Sequence, residues 1–292
     1  MDKRRIKQIV KKAVKLFVPE KRTIANVVSI DCNHLLKGRT ALITGGTSGI
    51  GYSIATAFVK SGADVIITGR NQKKLNNAVD SINSTLTDCL GGVKGVILDN
   101  TDVDSFERKF NEILELTVDG TLDILVNNAG LLGGNIDTTT LDEYNAVFDT
   151  NLRGAFFLSK VVAKHMQENS VKGNILNVAS SSSLRPAISA YTLSKWGMRG
   201  LTLGLAKMLA PYGITVNGLA PGPTATPMLH TDQNNITLEA NPMGRFAMPE
   251  EIANMAVVLC SGIGKMVVGD IVYMTGGAGL LTYEDVNYDI KL

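Results

Sequence analysis

The 292-residue sequence predicts a doubly wound α/β fold, one parallel sheet of about seven strands with helices on both faces. Three observations carry that expectation. From Arg39 onward, short runs rich in β-branched residues alternate with longer stretches of helical periodicity. The short runs are almost continuously apolar, as strands covered on both faces should be. No internal repeat or low-complexity tract interrupts the alternation, so right-handed crossovers between parallel strands follow. The length admits one large domain or two smaller ones, and seven strands in a single layer favour one.

Taken in order, the chain opens with Ile6, Ile9, Val10, Ala13, Val14 and Phe17 at helical spacing, ended by Pro19. Lys3, Arg4, Arg5, Lys7, Lys11, Lys12 and Lys15 fall largely on the other faces. This is a basic amphipathic helix, packed on its own domain or a sister subunit, or lying on an anionic membrane surface through residues 3–17. Residues 20–37 read as a linker, so that 1–37 form a leading segment and 38–292 the main domain. Ala41–Ile43 is the first strand, followed by a glycine-rich turn and a helix through Ile54, Ala55, Ala57, Phe58 and Val59. Val65–Thr68, Val96–Leu98, Leu122–Val126, Ile175–Val178, Ile214–Leu219 and Ile271–Met274 complete the strands.

Charge and cysteine usage narrow the function classes. The net charge of +2 argues against a generally basic nucleic-acid binder. It hides a split: Met1–Arg22 holds nine Lys or Arg against two acids, net +7, which leaves −5 for the remainder. Cys32, Cys89 and Cys260 show no zinc or disulfide spacing, and His34, His165 and His230 are scattered, so no metal site is expected. No apolar run is long enough to span a bilayer, and lysines interrupt any secretory apolar region. A cytoplasmic protein, peripheral to a membrane at most, is the expectation.

The turn after the first strand reads Thr44-Gly45-Gly46-Thr47-Ser48-Gly49-Ile50-Gly51. Glycines allow a tight turn and close backbone approach to a pyrophosphate, and free N–H groups at the helix start bind the anion. In isolation the pattern is weak; its place between a strand and a helix points to a dinucleotide. The second strand ends Thr68-Gly69-Arg70-Asn71, without the acid that bonds the ribose hydroxyls in NAD sites. A guanidinium there attracts a 2′-phosphate, so NADP(H) is favoured over NAD, with Ser48 and Arg70 near the phosphate.

Tyr191-Thr192-Leu193-Ser194-Lys195 sets Tyr and Lys at i and i+4 on one helix face. A nearby ammonium lowers the pKa of a phenol, which suits proton exchange with a carbonyl or alcohol. Asn127-Asn128-Ala129-Gly130 closes the fourth strand, Asn151 begins an apolar helix, Asn177-Val178-Ala179-Ser180 ends the fifth strand, and Pro221-Gly222 follows the sixth. All lie where parallel strands end, the side on which such sheets bind ligands.

Together these motifs, in this order over about residues 38–280, resemble the short-chain dehydrogenase/reductase family, and are similar to its 3-oxoacyl-[acyl-carrier-protein] reductases. The resemblance implies a Rossmann-like sheet and hydride transfer to or from a nicotinamide. It makes Tyr191 the general acid/base. It has Lys195 lower the tyrosine's pKa and bond the ribose, Ser180 orient the carbonyl, and Asn151 hold a water that links Lys195 to solvent. Gly45, Thr47, Ser48, Gly49, Ile50, Gly51, Arg70, Asp99, Asn100, Asn128, Ala129, Gly130, Tyr191, Lys195, Pro221, Gly222, Thr224 and Thr226 would bind the cofactor, with Asp99 at the adenine and Thr226 near the carboxamide.

The sequence departs from the pattern in three places. The serine-to-tyrosine separation is short by two residues. Strand register therefore selects Ser180 among Ser180, Ser181, Ser182 and Ser183, whereas counting back from Tyr191 lands on Val178. Thr275 stands where the family has an acid before the last Gly-Gly, and the basic leading segment lies outside the resemblance. The segment from Pro223 to Phe246 should cover a small carbonyl or alcohol substrate, possible thioesters included, with Lys164 and Lys207 on helices that could meet an acidic carrier. A sugar or polyol dehydrogenase, and a non-catalytic cofactor-binding scaffold, are the competing expectations. A homodimer or homotetramer is implied through the helices near Asn151 and Ala190. Their apolar positions Ala155, Phe156, Val161, Val162, Met198, Leu201, Leu205 and Met208 serve a subunit face or a core face equally well.

Overall fold

The structure, a computed structural model, describes residues 22–25, 33–85, 90–229 and 235–279. The helix expected over residues 3–17, most of the linker, Cys32, Cys89 and His230 lie outside the described residues. Seven strands form one all-parallel sheet: β1 (Thr40–Ile43), β2 (Asp64–Gly69), β3 (Val93–Ile97), β4 (Ile124–Asn127), β5 (Asn174–Val178), β6 (Thr215–Pro221) and β7 (Ile271–Met274). Their order across the sheet is β3-β2-β1-β4-β5-β6-β7. The order reverses direction between β1 and β4, the place where such sheets open a ligand crevice.

The helices are α1 (Gly49–Lys60), α2 (Gln72–Ser84), α3 (Phe106–Leu114), α4 (Leu141–Phe148), α5 (Gly154–Glu168), α6 (Ala190–Leu209) and α7 (Pro249–Cys260). Strand alternation feeds two cores. Ala41, Ile43, Val65 and Ile67 pack on one face with Ile54 and Phe58 of α1, Leu75 of α2 and Ile252 of α7. Leu42, Ile66, Leu125 and Ile175 pack on the other with Phe110 of α3, Leu158 of α5 and Leu209 of α6. Each β1 residue is buried, so the near-continuous apolar run is the signature of two covered faces. Helix starts follow local capping: Asn71 accepts from Lys74 N–H, Thr140 from Glu143 N–H, and Ser189 from Thr192 N–H.

Boundaries shift where a side chain overrides the apolar pattern. β4 begins at Ile124 rather than Leu122, because the Leu122 N–H donates to His165 Nε2 at 3.3 Å instead of entering the ladder. β3 begins earlier than Val96; it is an edge strand whose Lys94 and Gly95 are exposed, which breaks the apolar run. Asn151 does not begin a helix. It sits in a π turn, Asp149–Arg153, between α4 and α5. Among the described residues, no helix is long and apolar enough to cross a membrane, and no cluster of three potential metal ligands occurs.

Candidate functional site

The C-terminal ends of the strands open into one cleft of about 360 Å³. Its walls come from the turn after β1, the ends of β2 and β3, the segment after β4, the end of β5, the start of α6 and the loop after β6.

The turn after β1 is fixed to the end of β4 by a small network. Thr44 Oγ1 accepts from the N–H groups of Asn128 (3.0 Å) and Ala129 (3.1 Å). Asn128 Nδ2 donates to the carbonyls of Thr44 (2.9 Å) and Gly45 (3.0 Å). That closeness explains two glycines. Gly45 has φ +64°, and a Cβ on it would lie 2.9 Å from Ala129 Cα. A Cβ on Gly51 would overlap Asn128 Nδ2 and stand 2.5 Å from Gly45 O. Ser48, the N-cap of α1, makes no side-chain cap bond, unlike Asn71, Thr140 and Ser189. A bare backbone cradle at an uncapped helix start fits a dinucleotide's pyrophosphate. Gly45, Thr47, Ser48, Gly49, Ile50, Arg70, Asp99, Asn100, Asn128, Ala129, Gly130, Pro221, Gly222, Thr224 and Thr226 all line this cleft, whereas Gly51, packed against Asn128, does not. Arg70 is exposed and has no ion-pair partner among the described residues. Asp99 Oδ1 accepts from the N–H and hydroxyl of Thr101, both at 2.9 Å, which fixes its carboxylate at the β3 end.

At the β5 end, Ser180, Tyr191 and Lys195 meet in the same cleft. Of the four consecutive serines only Ser180 lines it and bonds the Tyr191 phenol. Ser183 turns away, its hydroxyl on the Ser180 carbonyl at 2.7 Å and near Tyr273 OH at 3.4 Å. Ser181–Leu184 form a 3-10 turn, the compact path that lets a connection two residues shorter still reach Tyr191. Lys195 is buried on the same face of α6, its Nζ 5.7 Å from the Tyr191 ring centre and donating to Val178 O at 2.8 Å. Burial pushes this ammonium down to about 8. Tyr191 differs from the expectation drawn from a nearby ammonium. Burial raises its pKa, and the Ser180 hydrogen bond pulls the other way without prevailing.

Asn151 is fully buried, with both ends of its amide occupied. Its Oδ1 accepts from Leu131 N–H at 2.7 Å, and its Nδ2 donates to Leu131 O and to Ser194 Oγ, each at 3.0 Å. Ser194 in turn donates to the Tyr191 carbonyl at 2.7 Å. The side chain therefore ties the segment after β4 to the helix that carries Tyr191 and Lys195, so its amide is not free to hold the water expected of it. Sequence reasoning missed Ser194 and Thr44. Ser194 stands three residues after Tyr191 in a helix interior, where a serine commonly back-bonds a carbonyl, and that was its available signal. Thr275, in place of an acid, is buried, takes the Gly277 N–H at 3.2 Å and does not line the cleft.

A sheet of this order, a glycine cradle at its switch point and a Ser-Tyr-Lys group at the β5 end define a dinucleotide-dependent oxidoreductase class. The family model for short chain dehydrogenase matches residues 39–237, and the chain belongs to that family. It is 34% identical over 250 residues to the 3-oxoacyl-[acyl-carrier-protein] reductase of Aquifex aeolicus, covering 83% of this chain and 98% of that one. It is 32% identical over 253 residues to the gluconate 5-dehydrogenase of Gluconobacter oxydans, covering 83% and 95%. Among solved structures it resembles the 3-ketoacyl-(acyl-carrier-protein) reductase from Brucella melitensis complexed with NADH. There the TM-score is 0.75 and the identity 30%, over 84% of this chain and all (100%) of that one.

Proposed function

We propose that residues 38–292 form an NADP(H)-dependent catalytic domain that interconverts a carbonyl and a secondary alcohol, with 3-oxoacyl thioesters as the leading substrate class. The observation that carries this reading is the meeting of Ser180, Tyr191 and buried Lys195 in one cleft with the glycine cradle. A nicotinamide dinucleotide held there supplies or takes the hydride. In reduction the carbonyl carbon gains that hydride while Tyr191 gives its proton to the carbonyl oxygen; the C=O π bond breaks as C–H and O–H bonds form. Ser180 hydrogen-bonds the same oxygen and stabilises the charge that develops on it. Lys195 lies beside the phenol to favour its ionised form in the reverse direction, and Asn151 braces the segment that faces them. Arg70, with no acid beside it at the β2 end, supports NADP(H) over NAD(H), although the Brucella relative holds NADH. Exposed Phe156, Phe157, Trp196 and Met208 on α5 and α6 support a homo-oligomer, while Ala155, Val162 and Met198 serve the core.

The gluconate relative favours a polyol dehydrogenase as the second reading. An NADPH-consumption screen over acetoacetyl thioesters, keto sugars and diketones distinguishes the two. In that assay Tyr191→Phe should lose about 10²- to 10⁴-fold in turnover and keep its cofactor affinity. Retained turnover would sink the assignment, and no turnover with tight NADPH binding would favour a non-catalytic scaffold.

A further inference from the structure

The connection from β5 to α6 holds four consecutive serines, and three of them have no part in the chemistry so far described. Two of the three meet the fourth. Ser180 Oγ accepts the Ser182 N–H at 3.1 Å. A hydroxyl has one proton and two lone pairs. With one lone pair held by that amide, the Ser180 proton and the second lone pair are left for Tyr191 and for an oxygen in the cleft.

The Ser182 amide holds this place only while the turn Ser181–Leu184 keeps its shape. Two donors close the turn on one acceptor. The Ser183 N–H reaches the Ser180 carbonyl at 3.0 Å, and the Ser183 hydroxyl reaches the same oxygen at 2.7 Å. Ser183 is fully buried, so solvent does not compete for that bond. Its single proton is committed to Ser180 O, which makes Tyr273 of β7 the donor in the longer, 3.4 Å contact between the two hydroxyls. Just beyond the turn, Trp196 Nε1 donates to the Arg185 carbonyl at 2.9 Å, and the Arg199 guanidinium lies over the Trp196 ring, 5.5 Å from its centre. The far end of the turn is thus anchored on α6, and the near end, where Ser180 stands, is anchored by Ser183.

We infer that Ser183 is a positioning residue for Ser180. By holding the Ser180 carbonyl it keeps the Ser182 amide on the Ser180 hydroxyl, and the proton of that hydroxyl points at the reacting oxygen rather than back into the turn. Ser183 does not line the cleft, so it acts through Ser180 and not on substrate or cofactor. The inference rests on the oxidoreductase reading above and deepens it. Without the Ser183 hydroxyl the Ser180 carbonyl keeps one donor in place of two, and a misplacement of about 1 Å at a reacting group costs up to about 10²-fold in rate.

The test is a double-mutant cycle in the full chain. Ser183→Ala, Ser180→Ala and the pair are compared with wild type, using the fastest carbonyl from the NADPH-consumption screen and its alcohol product. Ser183→Ala should lower kcat about tenfold. It should leave NADPH affinity unchanged, because the glycine cradle follows β1, two strands away from β5 across the sheet. In the Ser180→Ala background no hydroxyl remains to be aimed, and the same change should lower kcat by less than about twofold. The pH midpoint of alcohol oxidation is the second readout. The Ser180 bond favours the ionised Tyr191, so weakening it should raise that midpoint by about half a unit. Among the described residues, the charged side chains lining the cleft are Lys195, Arg70 and Asp99, and all three are unaltered in these proteins. Ser183→Cys keeps the volume but offers only a weak donor. It should reproduce both effects without a cavity, and it carries the test if Ser183→Ala does not fold. Wild-type kcat and midpoint in either variant overturn the inference while the oxidoreductase reading stands. An equal loss in both backgrounds also overturns it, because Ser183 would then serve the fold alone. If Ser180→Ala keeps full turnover, or the wild-type chain reduces no carbonyl, the catalytic reading fails and the inference fails with it.

Discussion

Replacing Lys195 by Met should make the cofactor-free protein more stable while abolishing its turnover. The ammonium is almost fully buried at the base of the cleft, and burial holds it at about 8 against an ordinary 10.5. At about 1.4 kcal/mol per pKa unit, the folded state carries a cost of about 3 kcal/mol for keeping this charge at neutral pH. Met fills similar volume without charge but gives up the bond to Val178 O, worth about 1 kcal/mol where water in the open cleft can rehydrate the carbonyl. The net gain is about 2 kcal/mol, or roughly 4–8 °C in Tm for a domain of this size. The pH dependence follows from a folded pKa depressed below the unfolded one. Between these values the unfolded chain holds more protons, so wild-type stability is lost as pH falls through about 8 and recovered towards 10.5. The advantage of Lys195→Met should therefore be full near pH 7 and mostly gone by about pH 10. Urea or thermal unfolding of both proteins at the two pH values measures it. A variant no more stable than wild type near pH 7, or an advantage that does not change with pH, would refute the desolvation argument.

Three further outcomes follow from the same geometry. Gly51→Ala should weaken cofactor binding by tenfold or more, because its Cβ displaces Asn128 and strains a packed turn by about 1–3 kcal/mol; titration of NADPH fluorescence reads the loss, and wild-type affinity would contradict the cradle. Arg70→Glu should lower the ratio of NADPH to NADH use by at least tenfold, since a guanidinium–phosphate bond of about 1.5–3 kcal/mol is replaced by repulsion; steady-state kinetics with both nucleotides decides, and an unchanged ratio would remove Arg70 from the phosphate site. His165, edge-on to Phe110 and accepting the Leu122 N–H, has its pKa held below the usual 6.5 by burial. Its neutral form belongs to the fold, so stability is full above pH 6.5 and falls as pH drops below it. His165→Gln, which keeps an acceptor, should flatten that acid limb in urea unfolding, and an identical acid limb would assign the loss to other groups.

The strands and the cleft were legible because their physics is local and repetitive. Doubly covered strands must be continuously apolar, and Gly45 and Gly51 of the turn after β1 must be small because Asn128 and Ala129 press on them. That Ser180 and not its three neighbours lines the cleft could be read because strand register, unlike a count back from Tyr191, survives a shortened loop. What was not legible depended on contacts distant in sequence. The start of β4 is set by His165, 43 residues away from Leu122. The bracing of Asn151 by Leu131 and Ser194 needs a π turn, which no periodicity announces. The docking of Thr23 spans more than 200 residues and involves short polar side chains that carry no pattern.

The direction of the Tyr191 shift changes how the group should be understood. Spacing alone suggests that the lysine's charge draws the phenol toward ionisation. In the folded cleft Lys195 is buried and Tyr191 half-buried, and desolvation pushes each toward its neutral form, phenol up and ammonium down. For Tyr191 desolvation outweighs the Ser180 hydrogen bond, which favours the ionised phenol. A site built this way rests at neutral pH with its proton on Tyr191. Under the proposed chemistry that is the form that donates to a carbonyl oxygen, so reduction is the direction for which the cleft is already protonated. Oxidation of an alcohol requires the phenol to lose its proton first, and the same burial makes that loss harder as pH falls. Rates in the two directions should accordingly separate with pH, reduction holding through neutral pH and oxidation rising on the alkaline side. Parallel pH profiles for the two directions would show that the lysine's charge, not burial, governs the tyrosine.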